Sequence, residues 1–224
     1  MPLKRALFIF LATVTAMVAQ SATPGTIQAT GNATLTMNPD QAQVSIGVTT
    51  QGTTAQEAAQ QNAALSTAVQ NAIKSVLGNN GTVQTVGYSV YPRYNNASPS
   101  AIVGYTANNT VLVTTYDLSN IGKLIDTGNA AGANSISGVN FGLKNPDPYV
   151  AQALTAASKQ AIVFAQAIAA GLGRSVGSVV SAQQGSSYVP VVAAPTAGAG
   201  ASTPIQSGSV NVTATVTVNV ALAQ

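Results

Sequence analysis

The carboxylates are the first residues to consider for chemistry, because the sequence contains no histidine and no cysteine. A Ser-His-Asp triad, a histidine metal site and a thiol nucleophile are therefore excluded. The five acidic residues are widely spaced: Asp40, Glu57, Asp117, Asp126 and Asp147. Asp117 and Asp126 flank a predicted short helix, which would hold them at opposite ends as capping and surface residues. We expect no catalytic residues and no enzymatic activity.

Metal and cofactor sites are not expected either. A calcium loop needs acidic residues at alternating positions, which this sequence does not contain. The glycine-rich stretches at 171–177 and 198–200 lack the lysine and the fixed spacing of a phosphate loop. Asp40 and Asp147 each adjoin a proline at a predicted element boundary, where turn and cap roles account for them.

Four tyrosines form the one candidate binding surface in the sequence. Tyr88, Tyr91, Tyr94 and Tyr105 would lie close together if the segments that carry them form a hairpin. They could then present an exposed aromatic strip to a small ligand or a protein partner. Ordinary cross-strand packing is the simpler interpretation of the same residues.

Hydrophobic periodicity predicts the elements that position these residues. Alternation predicts strands, and spacing near 3.6 residues predicts helices. Thr54 and Glu57 form a possible capping box, and the turn Asn38-Pro39-Asp40 separates the first two strands. The predicted order is two strands within 27–50, a helix at 54–77, strands at about 82–92 and 102–116, a short helix ending near 132, a strand at about 134–144, a long helix at about 147–171, a strand at about 174–184, a flexible loop at about 185–207 and a strand at 210–222.

The long helix is predicted to bury one broad apolar face with an alanine ridge that permits close approach of a sheet or helix. Asp147 and Pro148 fit its N-terminus, with the acid at the cap. The ridge consists of Ala153, Ala157, Ala161 and Ala165. The other apolar positions of the face are Val150, Leu154, Phe164, Ile168 and Leu172. The fold class is therefore α+β: mostly antiparallel sheets of about seven strands packed by two long helices and one shorter helix.

The first 22 residues predict export. Lys4 and Arg5 precede an apolar run at 6–18 and then small residues, which is the layout of a cleavable signal peptide. The run is shorter than the roughly 20 residues that span a bilayer. We expect a cleaved signal at 1–22, a single domain at 23–224 and no transmembrane span after cleavage.

Charge is scarce in the remaining chain. Lys and Arg number eight and Asp and Glu five, so losing Lys4 and Arg5 leaves a net charge of 8 − 2 − 5 = +1. Without a basic cluster, nucleic-acid binding is not expected. Low charge removes a barrier to self-association, so a homo-oligomer is expected.

Several segments in order resemble the SIMPL-domain family. They are Gly31, Pro39–Val44, Gly47-Val48 and Thr54–Ala58, then Tyr91–Tyr94, Gly104–Asn108, Val111 and Val113, and finally Ala131–Asn134, Phe141, the alanine-ridged helix, Pro204-Ile205 and Gly208.

The resemblance implies a bacterial protein of the periplasm or associated with the outer membrane, from a family without agreed catalytic residues in which some members form large oligomers. It leads to the hypothesis of an exported, non-enzymatic envelope protein that acts through protein contacts in envelope maintenance or oxidative-stress tolerance. The alternative is a periplasmic module that binds a small ligand on the tyrosine-lined hairpin.

Overall fold

The computed structural model describes residues 25–95, 98–193, 205 and 207–223. The predicted α+β class is confirmed, with seven long strands, the two-residue β7 and three α-helices in this part of the chain. The elements in chain order are β1 (Thr26–Met37), β2 (Gln41–Gly52), α1 (Ala55–Leu77), β3 (Gly81–Asn95), β4 (Ser98–Thr115), a 3₁₀ turn (Leu118–Asn120), α2 (Ile121–Ala130), β5 (Ser135–Gly142), α3 (Asp147–Gly171), β6 (Ser175–Tyr188), β7 (Val192–Ala193) and β8 (Val210–Ala223).

The strands form two separate antiparallel sheets. One has the order β1-β8-β6, and the other has the order β3-β4-β2-β5-β7. The predicted turn Asn38-Pro39-Asp40 therefore does not close a hairpin but carries the chain from one sheet to the other. Asp40 anchors this crossing, because its Oδ1 accepts a hydrogen bond from the backbone N of Lys144 at 2.7 Å.

The larger sheet is covered on one face by α1 and α2. The alternating residues of β2 point toward these helices and are almost fully buried. The predicted short helix is α2, and its buried residues recur at helical spacing. The core members that carry this packing are Ala42, Val44, Ile46 and Val48 of β2, Val69 and Ile73 of α1, and Ile121, Leu124, Ile125 and Gly128 of α2.

The start of α1 matches half of the predicted capping box. Thr54 Oγ1 accepts from the backbone N of Glu57 at 3.1 Å, as predicted. The Glu57 carboxylate instead accepts from the N and Oγ1 of Thr53, one residue earlier, at 2.9 and 2.8 Å. The Thr53 hydroxyl, followed by its N–H, lowers the pKa of Glu57.

The smaller sheet is covered by α3 along the predicted alanine ridge. Five alanines at steps of four are fully buried: Ala153, Ala157, Ala161, Ala165 and Ala169. The approach is closest at Gly31 of β1, where an added Cβ would lie 2.1 Å from the Ala157 carbonyl oxygen. Small side chains on both elements therefore set the distance between α3 and the sheet.

The prediction that the other apolar residues of α3 share the buried face is wrong for the C-terminal half of the helix. Phe164, Ile168 and Leu172 are 45%, 44% and 63% exposed, because the alanine ridge alone contacts the sheet and they lie to one side of it. The start is also corrected: Pro146 occupies the cap position, and Asp147 is the first helical residue without a side-chain capping bond.

The segment predicted as a loop at about 185–207 is partly ordered into strands. β6 continues to Tyr188, and β7 pairs with β5 at Phe141 and Asn140. Residues 194–204 and 206 of that segment lie outside the described residues, as does the predicted signal peptide at 1–22.

One described helix, α3, is long and apolar enough to cross a membrane by length and composition alone. Its alanine ridge is packed against the smaller sheet, and it also carries Asp147 and Lys159. A core helix passes the same test, so its hydropathy does not identify a membrane span.

Candidate interaction surfaces

The β3–β4 hairpin extends past the sheet to which it belongs. β2 accompanies β4 only as far as Tyr105, which lies opposite Gly52. Beyond that point the hairpin contains apolar residues that no helix covers, including Ile102 and Val103, which are 49% and 51% exposed. The predicted hairpin is confirmed, and its outer half is a protruding arm.

The four candidate tyrosines are divided between the two faces of this arm. Tyr88 and Tyr91 are three residues apart in a continuous strand, so their side chains point to opposite faces. Tyr94 shares the face of Tyr88, and Tyr105 joins them because it lies opposite Pro92. This face is the one that α1 covers further along the sheet. The structure thus brings together Tyr94 and Tyr105, places Tyr88 about 20 Å from Tyr94 along the strand, and separates Tyr91.

Tyr91 is tied into a polar network on the opposite face. Its hydroxyl oxygen accepts from Asn108 Nδ2 at 3.3 Å, and Asn108 Oδ1 accepts from Thr49 Oγ1 at 2.6 Å. The Asn134 side chain makes two hydrogen bonds to the backbone of Thr49: its Oδ1 accepts from the N, and its Nδ2 donates to the O, each at 2.7 Å. The Tyr91 hydroxyl is therefore linked to β4 by a hydrogen bond between strands.

Tyr88 lies beside an unusual polar atom. Asn109 is directly opposite Tyr88 in the ladder, and its Oδ1 is buried without a hydrogen-bond partner among the described residues. A buried carbonyl oxygen without a donor costs about 1–3 kcal/mol. A ligand that supplied one N–H or O–H beside Tyr88 would remove that cost.

The edge strand of the arm carries features that oppose strand addition. β3 contains Pro92 and Arg93, and its ladder with β4 has several register shifts. Arg93 donates to Gln51 Oε1 and so lies across the face of the sheet. Proline, charge and bulges on an edge strand hinder pairing with another chain.

Of the two aspartates predicted to flank the short helix, Asp117 acts as a local capping group. Asp117 Oδ1 accepts from the backbone N and the Oγ of Ser119 at 3.1 and 2.6 Å, and the Ser119 hydroxyl chiefly lowers the pKa of Asp117. The prediction that Asp126 lies at the far end of the helix is wrong: it is exposed in the middle of α2, because that helix continues to Ala130. Within the described ranges, no three acidic residues lie close enough to hold a metal ion.

A second exposed apolar surface lies on α3 and was missed by the sequence reasoning. Phe164, Ile168 and Leu172 follow one another at steps of four along one side of the helix. We call these three residues the α3 stripe. Val163 is also 57% exposed but lies two residues from Ala161 and Ala165, so it points away from the sheet. The signal that could have revealed the stripe is the ridge itself, because alanines four apart already supply a complete contact face.

Comparison with known protein families gives a match over almost the whole described chain. Residues 27–220 match the family model SIMPL, described as a protein of unknown function (DUF541). The matched region contains both sheets and all three helices.

Comparison with individual proteins gives relatives of the same kind. The chain is 31% identical over 163 residues to a protein named 26 kDa periplasmic immunogenic protein in Brucella melitensis, and equally similar to its counterpart in Brucella abortus. Each match covers 70% of this chain and 65% of the relative. The uncharacterized protein YggE of Escherichia coli K12 is 40% identical over 82 residues, 37% of this chain and 33% of that protein.

Proposed function

This chain belongs to the SIMPL family, and on that premise we propose that it is an exported, non-enzymatic protein of the bacterial periplasm that self-associates and acts through protein contacts. The location draws support from the periplasmic relatives in Brucella and from the signal-like residues 1–22. The proposed role in protein contacts rests on the exposed apolar residues of the surface and on its low charge.

The observation that carries the contact role is the amount of exposed apolar surface in a chain with few charges. Most of the large apolar side chains that are exposed lie on the β3–β4 arm, on α3 and on β6. Charged residues make up only 6% of the sequence, so little repulsion keeps copies apart. Contiguous exposed apolar patches commonly mark sites of protein interaction.

The export part of the proposal is tested by cell fractionation. The full chain with a C-terminal tag should appear in the fraction released by osmotic shock, with its mature N-terminus between Gln20 and Thr23. An uncleaved chain retained in the cytoplasm would contradict export. Membrane pellets from the same cells test the finer possibility of outer-membrane association, which a fully soluble periplasmic pool would contradict.

The contact part is tested by light scattering after size-exclusion chromatography. The mature protein should elute as a species with at least twice the mass of one chain. A monomer at micromolar concentration would contradict self-association and leave the export proposal standing.

The physiological proposal, envelope maintenance or oxidative-stress tolerance, is tested by deleting the gene and measuring survival in peroxide and detergent. Restoration by the wild-type gene is expected, and unchanged survival without the gene would contradict it.

A second candidate function is favoured by the unpartnered oxygen of Asn109 beside Tyr88. A small ligand with a hydrogen-bond donor and an apolar or aromatic body could bind on that face of the arm. A thermal-shift screen tests it, with Tyr88→Ala as the sensitive variant and Tyr91→Ala, on the opposite face, as the control. A ligand that stabilises both variants equally, or none across a broad library, would count against this function.

A further inference from the structure

We propose that two copies of this chain pair β1 with β1 in antiparallel orientation across a two-fold axis, with the α3 stripes of both copies meeting above the new strand pair. This inference rests on the proposed self-association and names the surface that performs it. It makes a continuous six-stranded sheet from two three-stranded ones.

The first step is that the α3 stripe lies above the outer edge of β1. Gln160 Oε1 accepts from the backbone N of Asn32 in β1 at 2.6 Å, so this side of the helix faces that strand. Phe164 and Ile168 follow Gln160 at steps of four and therefore continue along the same side. Toward the N-terminus of α3 the same side forms an open groove of about 460 Å³ lined by Leu35, Ala151, Gln152, Thr155, Ala156 and Lys159.

The second step is that β1 offers backbone groups for another strand. β1 pairs with β8 on one side and, among the described strands, with none on the other. The N–H of Asn32 points away from β8 to Gln160, whereas the carbonyl of Gly25 accepts from Leu222 of β8 at 2.8 Å. Backbone groups alternate in direction along an antiparallel strand. The even-numbered residues of β1, from Thr26 to Thr36, therefore direct their N–H and C=O groups outward.

The third step is that the sequence of β1 carries no feature that opposes strand addition. The Gln160 side chain holds the outward Asn32 N–H and would have to release it to the second strand. The twelve residues of β1 include no charge and no proline, and the ladder with β8 runs without a register shift. Natural edge strands are normally protected by such features. The partner that fits an uncharged, regular, self-complementary edge best is a second β1, because the two copies share the same length and neither brings a charge to bury.

The fourth step is that this arrangement fits the helices together. α3 lies over β1 and β8, so two helices related by β1–β1 pairing are about two strand spacings apart, or roughly 9–10 Å. Packed helices are separated by about 8–10 Å. Phe164 and Ile168 of each copy then fill the contact between the helices, and the exposed stripe becomes buried.

The three other edges of the described sheets fit less well. β7 has only two residues. β3 carries Pro92 and Arg93. β6 has three register shifts against β8, and pairing there would hold the helices about four strand spacings, or roughly 19 Å, apart. The α3 stripe would stay exposed in all three cases.

The test is the mass of lysine variants of the mature protein by light scattering. Phe164→Lys places a charge where the two copies meet, and its mass should fall to half that of the wild-type assembly or lower. Val163→Lys adds the same charge on the same helix but points away from the sheet, so its mass should not change. Ile168→Lys is the second stripe variant, in case Phe164→Lys does not fold, as judged by circular dichroism.

The outcomes separate this inference from the proposed function. An unchanged mass for folded stripe variants of an oligomeric wild type would overturn the β1 interface and leave self-association standing. Equal dissociation of Val163→Lys would overturn it too, because the effect would not depend on the side of the helix. A monomeric wild type would contradict both self-association and the β1 interface. Wild-type monomers that bind lipid vesicles through Phe164 would assign the α3 stripe to a membrane surface instead.

Discussion

Replacing Gly31 with alanine should destabilise this protein more than any ordinary glycine-to-alanine change in a strand. The new Cβ would lie 2.1 Å from the carbonyl oxygen of Ala157 and 2.5 Å from the backbone N of Ala161. Both atoms belong to the backbone of α3, so no rotamer change relieves the contact. To reach an ordinary separation of at least about 3.2 Å, the helix must move off β1 by about 1 Å.

The size of the stability loss follows from the contact between α3 and the smaller sheet, which that movement opens. The five alanines of the ridge contact the sheet along about four turns of α3, and they are fully buried. Inserting a methyl group into a packed core typically costs about 1–3 kcal/mol, and a contact with rigid backbone belongs at the upper end. For a domain of this size, 3 kcal/mol lowers Tm by roughly 6–12 °C.

The assay is thermal and urea unfolding of the mature protein, with Gly142→Ala as the matched control. Gly142 also lies in a strand, but a Cβ there meets nothing within 4 Å. The control should be neutral or slightly stabilising, because alanine reduces the entropy of the unfolded chain. Ala157→Gly should not rescue Gly31→Ala, since the clash involves the carbonyl of residue 157. Equal stabilities of the two alanine variants would refute the close approach of α3 to β1.

Two further predictions concern buried and capping groups. Asn62→Ala should lower the free energy of unfolding by about 2–3 kcal/mol, because Asn62 Nδ2 donates to the carbonyls of Val48 and Ala107 at 2.8 and 3.0 Å. Urea unfolding measures this change, and a loss under about 0.5 kcal/mol would show that these bonds contribute little. The pKa values of Glu57 and Asp117 are lowered in the folded state, so their contribution to stability is present above their unfolded pKa values and is lost as pH falls through the folded ones. Unfolding at pH 7 and at about pH 3 should therefore show a smaller acid loss in a Glu57→Gln, Asp117→Asn double variant than in the wild type, and equal losses would contradict this linkage.

The elements with strict periodicity were predictable from the sequence. β8 alternates apolar and polar residues throughout, and the structure buries its apolar positions from Val210 to Val220. The buried residues of α2, which are Ile121, Leu124, Ile125 and Gly128, were predictable for the same reason. Periodicity directly reports which side of an element is buried, so these predictions needed no knowledge of the partner element.

The pairing of strands was not predictable in the same way. β1 and β2 are adjacent in sequence and joined by a short turn, yet they belong to different sheets. Alternation specifies the face of a strand but not its neighbour, and Asn38-Pro39-Asp40 suits a crossing as well as a hairpin. The hydrogen bond from Lys144 to Asp40 that holds the crossing joins residues far apart in sequence.

The candidate surfaces show a different limit. Tyr88 and Tyr91 are an odd number of residues apart, so strand geometry alone could have separated them onto two faces. The exposed position of Phe164 and Ile168 depends on how closely α3 approaches the sheet, which Gly31 permits. The alanine spacing could have suggested a complete contact face on α3, but the close approach to Gly31 joins distant parts of the chain and is not visible in the sequence.

The central claim is self-association through β1, and disulfide cross-linking tests it most directly because the sequence has no cysteine of its own. Single cysteines at Gln28, Thr30, Asn32 and Thr34 would report on the strand pair, with Val180→Cys on β6 as the control. Directly opposed residues of antiparallel strands lie about 4.5–5.5 Å apart, within the range for a disulfide. Cross-linking should peak at the one β1 position nearest the two-fold axis and fall within two residues on either side. Uniform cross-linking across β1, or a stronger cross-link at Val180→Cys, would contradict the account.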